Sequence, residues 1–87
     1  MFYAFQAIAI TIESLDIEAG RRCEFDRLLL FDGPNPDSPK LIEDGICGNE
    51  VPVIPVSSSN KVFVVFESDS TRQYAGFRLT WTVEGEV

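Results

Sequence analysis

The sequence predicts an all-β fold, a sandwich of antiparallel strands, on three observations. Helical periodicity is nearly absent along the chain. Apolar and polar residues alternate over several stretches, the period of a strand with one face inward. Clusters of Gly, Pro, Ser and Asn separate those stretches at the spacing a sandwich gives. The 87 residues are read as one domain, 1–87. A hydrophobic fraction of 45% and seven Phe speak for a packed core rather than disorder. Folding at this size buries only about 60% of the unfolded surface, so a covalent or metal staple would help.

The elements follow in chain order. Met1 to Ile10 is apolar but lacks the basic start and cleavage site of a leader, so it reads as strand. Ile8, Ile10 and Ile12 alternate with Ala9 and Thr11. The phase then flips, with Leu15 and Ile17 inward and Ser14, Asp16 and Glu18 outward. A bulge near Glu13 would reconcile the two phases. Leu28 to Phe31 is a short buried strand. Asp32 to Pro39 holds three prolines and a glycine in eight residues and can only be loop. Leu41 and Ile42 start the next element, which Glu43, Asp44 and Gly45 turn. Val51 to Val56 is apolar, but Pro52 and Pro55 confine it to an edge or an extended connection. Ser57 to Asn60 is a turn, and Lys61 to Glu67 reads as a strand buried on both faces. Phe77, Leu79, Trp81 and Val83 alternate with Arg78, Thr80, Thr82 and Glu84, the cleanest half-buried pattern in the chain. Trp81 and Phe66 are expected to be largely buried.

Composition excludes several function classes. Seven basic against fourteen acidic residues give a net charge of −7, which disfavours nucleic acid and anionic membranes. No apolar run approaches the length of a membrane span. Asn35, Asn49 and Asn60 all lack the hydroxyl that a glycosylation acceptor needs two residues on. With no His, the usual general base and the commonest transition-metal ligand are missing. No phosphate-binding loop or nucleophile elbow is present. A carboxylate pair of the glycosidase kind would need a cleft that so short a chain has little room for. The expectation is a non-enzyme with no catalytic residues. Cys23 and Cys47 allow one intramolecular pairing, and count alone leaves a disulfide and two buried thiols both open. If formed, the bridge closes a loop worth roughly 3.5 kcal/mol in chain entropy.

The acidic residues are the informative set. Glu18 ends one strand, Asp26 opens the next, and Asp69 follows the strand that ends near Glu67. All three stand at strand ends, where a sandwich gathers its loops. Hard oxygen ligands converging from loops are what Ca²⁺ takes. The plainer alternative is three solvated turn residues.

A family resemblance favours the metal. Leu15-Asp16-Ile17-Glu18, then Cys23-Glu24-Phe25-Asp26, then Leu28 to Gly33 resembles the opening pattern of the CUB family. Ile46-Cys47-Gly48 followed by Pro52 is similar to its "CG…P" element. Ser57 to Asn60 leading into Val62 to Asp69, and Ala75-Gly76-Phe77 near the end, resemble its later elements. The likeness is strongest over residues 15–83. It implies a CUB-like jelly-roll sandwich lying outside the cell, in a secreted protein or an ectodomain. It also implies that Cys23 and Cys47 form a disulfide. In the Ca²⁺-binding subset the matching ligands fall on Glu18, Asp26 and Asp69, and a backbone carbonyl near Ser70 or Thr71 would add another.

The chain departs from the pattern in places. Phe25 stands where Tyr is usual, and Arg72 lies where an Asn often supports the metal. The family's first strands and first cysteine pair have no counterpart in Met1 to Phe5. The expectation is therefore a domain short of its first strands, or one completed by self-association or by a strand from another segment. The leading functional expectation is a Ca²⁺-dependent recognition module for a protein presenting Lys or Arg, without nucleic-acid binding or membrane insertion. Its alternative is a structural building block in an extracellular assembly. Carbohydrate binding ranks third, and the net charge argues against an anionic version.

Overall fold

The computed structural model describes residues 5–18, 20, 23–68 and 76–86. Its strands are β1 (Phe5–Asp16), β2 (Arg27–Phe31), β3 (Phe63–Glu67) and β4 (Gly76–Glu86). β1 pairs antiparallel with β4, and β2 with β3, so the described residues form two two-stranded sheets. All-β and antiparallel is what the alternation predicts.

The first sheet owes its shape to one extra residue. Ile8, Ile10 and Ile12 stand opposite Val83, Trp81 and Leu79, all on one face. The register then shifts between Ile12 and Ser14, leaving Glu13 without a partner position. That bulge reverses the phase of β1, so Leu15 meets Phe77 on the same face as Ile12 and Leu79. The bulge expected near Glu13 is present.

The core lies between the sheets at the β1/β2 side. Ile12, Leu15 and Ile17 pack with Leu28, Leu30 and Ile46, and Leu28 and Leu30 are fully shielded from solvent. Each such side chain contributes about 1.5–3 kcal/mol through burial. Leu41 and Ile42, expected to start a strand, pack against this core as connection instead. Pairing is limited to bridges on either side of them, Lys40 with Phe31 and Ile46 with Leu28. Between the bridges the chain turns, and Gly45 donates its N–H to the Ile42 carbonyl. Gly45 has a φ of +83°, and a Cβ there would sit 3.2 Å from the Leu28 carbonyl oxygen. Only glycine suits both conditions.

Residues 51–56 form a connection outside any strand, as Pro52 and Pro55 favour. Ser57 then fastens this connection to β1. Its N–H donates to the Ile8 carbonyl at 3.0 Å, and its Oγ accepts the Ile8 N–H at 2.7 Å. Asp32 accepts the Ser58 N–H at 2.8 Å, tying the proline loop to the same turn.

The opposite side corrects three expectations. Val64 and Phe66 share a face with Leu30 and Leu28, and the Phe66 ring meets Phe77 at 5.3 Å between centroids. Yet Phe66 is 43% exposed, and β3 is buried on neither face. Trp81 is 61% exposed rather than buried. The physical cause is shared: no strand among the described residues lies beyond the outer edge of β3 or β4. A cavity of about 800 Å³ opens there, with Ile10, Val64, Leu79 and Trp81 in its lining.

Candidate functional site

Glu18 lies just past the end of β1 and Asp26 just before β2, and a three-residue segment brings those strand ends together. Glu18 directly follows Ile17, which exchanges two backbone hydrogen bonds with Gly48, at 3.1 and 3.0 Å. Asp26 lies two residues before Leu28, which exchanges two with Ile46, both at 2.9 Å. Between Ile46 and Gly48 stands Cys47, disulfide-bonded to Cys23 with the Cα atoms 5.5 Å apart. The run Ile46-Cys47-Gly48 is thus a clip, paired to the end of β1, to the start of β2 and to the loop between them. The cysteine pair is bridged, as the family resemblance implied.

Beside the clip both carboxylates are buried. Glu18, read from the sequence as outward, is only 8% exposed, and Asp26 only 4%. Burying a carboxylate is costly unless charge or hydrogen bonds compensate it. Two buried acids beside a covalent fastening are no solvated turn residues. Their donor atoms are all oxygen and no His is available, a set that suits a hard cation such as Ca²⁺. The donors fit Ca²⁺ in kind.

Asp69, Ser70 and Thr71 lie outside the described residues, as does Arg72. The residues that flank them are placed. β3 ends with Glu67 paired to Arg27, so the next antiparallel step would set Ser68 opposite Asp26. β4 begins with Gly76 paired to Asp16, two residues before Glu18. Both flanks therefore stand at the Glu18/Asp26 end of the molecule. Among the described residues no three acidic, Cys or His side chains gather closely enough to hold a metal by themselves.

Other charges contribute less. Arg27 and Glu67 form an ion pair across β2 and β3, but both side chains are over 40% exposed. Such pairs are worth little in water. What the sequence reading missed is the clip itself. Ile46-Cys47-Gly48 stood out in the sequence as a family-like motif, but nothing local to it signals the pairing with both strands, and Gly48 takes a φ of +78° there.

Comparison with known proteins places this architecture. The model of the CUB domain family matches residues 3–81. Tolloid-like protein 1 of Homo sapiens is 38% identical over 77 residues, which cover 88% of this chain and 7% of that protein. Exoskeleton protein RP43 of Riftia pachyptila is 33% identical over 75 residues, covering 86% of this chain and 17% of that protein. Cubilin of Sus scrofa is 38% identical over 77 residues, covering 88% of this chain and 2% of that protein. The chain thus spans a small fraction of each of these relatives.

Proposed function

The chain belongs to the CUB domain family, and from that premise we propose that it is an extracellular module for recognising another protein through bound Ca²⁺. CUB domains are interaction modules rather than catalysts. Glu18, Asp26 and Asp69 would hold the ion, with a backbone carbonyl near Ser70 or Thr71. Bound Ca²⁺ supplies positive charge that offsets the buried carboxylates and orders the loops that carry them. Carboxylate oxygens left over would accept charge-assisted hydrogen bonds from a Lys or Arg of the partner.

One observation carries the reading: Glu18 and Asp26 are both buried at the ends of strands that the Ile46–Gly48 clip fastens together. An ordinary solvated acid has no need of that arrangement. The disulfide and the net charge of −7 agree with an oxidising, extracellular setting and a basic partner.

Calorimetric titration with Ca²⁺ tests the assignment. One ion should bind in the micromolar to millimolar range of extracellular modules. Asp26→Asn and Asp69→Asn should each weaken binding at least about tenfold, because each removes a formal charge at the ion. Glu43→Gln, in an exposed turn, should leave it unchanged. Equal losses from all three would replace the site with diffuse electrostatics.

A second reading, a building block of an extracellular assembly, is favoured by the uncovered apolar residues of β3 and β4. Size exclusion with and without a chelator separates the two, since only the first depends on the metal.

A further inference from the structure

The chain between Gly48 and Ser57 is fixed at both ends and unpaired in between. Gly48 exchanges backbone hydrogen bonds with Ile17, and the Ser57 N–H donates to the Ile8 carbonyl. The same number of residues separates Gly48 from Ser57 as separates Ile17 from Ile8. The segment must therefore match the rise of β1 between those anchors. A strand rises about 3.3 Å per residue, close to the reach of a fully stretched chain. Residues 49–56 thus run extended beside β1. Among the described residues, none from 51 to 56 enters a backbone hydrogen bond. Val53 is 92% exposed, and Val51 and Val56 are exposed as well.

An extended, unpaired and exposed segment is the form in which an endoprotease takes its substrate, binding it as an added strand. The sequence leaves few bonds there to cut. Val51–Pro52 and Ile54–Pro55 place a proline ring on the departing nitrogen. Pro52–Val53 and Pro55–Val56 would put the proline ring itself in the specificity pocket. Two bonds remain, Val53–Ile54 and Val56–Ser57, each following a small aliphatic side chain. The second is shielded, because Ser57 is 4% exposed and holds Ile8 through both its N–H and its Oγ. Only the partly buried Ile54 side chain ties the first to the core.

We propose that Val53–Ile54 is a cleavage site for an extracellular serine protease with a small apolar specificity pocket, the elastase type. The protease serine attacks the Val53 carbonyl carbon, and the C–N bond to Ile54 breaks. Water then releases the Val53 carboxylate, so one water is consumed and Ile54 is left with a free amine. The cut divides the fold without freeing either part. Cys23 and Cys47 both stay on fragment 1–53, so no disulfide joins the two pieces. Yet β1 pairs with β4 and β2 with β3, so each sheet is shared between 1–53 and 54–87. A one-chain domain becomes a two-chain complex whose stability depends on concentration.

Limited digestion of the native, disulfide-bonded protein with pancreatic elastase tests the site, read by intact mass without reductant. The first products expected are 1–53 and 54–87, whose masses sum to the parent plus one water. Val53→Asp should slow the cut at least about tenfold, since an apolar pocket rejects a charge. Val56→Asp should leave the rate unchanged. Both side chains are exposed, so neither change removes a core contact. The nicked protein should elute as one species under native conditions, with a melting midpoint that rises with concentration. Resistance of the native protein, a first cut after any other residue, or equal slowing by both variants would overturn the proposal. So would nicked fragments that separate on the native column.

Discussion

Two sides of one small sandwich, built from the same kinds of residue, end in opposite states. Along β1 and β2 the segment from Lys40 to Ser57 bridges strand to strand, and Leu28 and Leu30 are sealed. Along β3 and β4 the same apolar alternation points inward, yet Phe66 and Trp81 stay wet. Residue type is shared between the sides; lateral cover is what differs. Alternation determines which face a residue occupies, whereas burial depends on what lies beside the strand.

Stability measurements can break or sharpen this contrast. The largest loss is expected from Cys23→Ala with Cys47→Ala, about 3.5 kcal/mol in urea unfolding from loop entropy. Intact mass under native conditions should first show the bridge, as two missing hydrogens relative to the reduced chain. Leu30→Ala should follow at about 3 kcal/mol, because a sealed side chain leaves a cavity. Phe66→Ala should cost only about 1–2 kcal/mol, since much of that ring already meets water. If Phe66→Ala matches Leu30→Ala, the two sides are not different and the contrast fails. Smallest of all is Trp81→Ala, under about 0.5 kcal/mol, since most of that side chain already meets water.

Much of the fold was legible because strand phase is written locally. The run from Ile8 to Ile17 reveals its own bulge, since only an extra residue keeps Ile12 and Leu15 on one face. Prolines 52 and 55 exclude a paired strand there by removing donors. Lys61 to Glu67 misled because apolar residues on both faces usually mean cover on both, and here neither face receives it. Trp81 misled for the same reason. The candidate site was half legible. Glu18 and Asp26 stood out as acids at strand ends, but the strand ends beside them are fastened by Ile46 and Gly48, some twenty to thirty residues distant. No local pattern encodes a contact of that range, and only the family resemblance pointed to the cysteine pair within it.

The clip has a kinetic consequence. Four amide protons, those of Ile17, Leu28, Ile46 and Gly48, are held in reciprocal pairs around a disulfide. Opening any one pair strains the other through a covalent link, so these amides should exchange with deuterium only when the whole domain unfolds. The amides of the exposed residues 49–51 should exchange orders of magnitude sooner. A time course of deuterium uptake would therefore show a slow belt around residues 46–48, and its lifetime would give the global unfolding free energy of the domain.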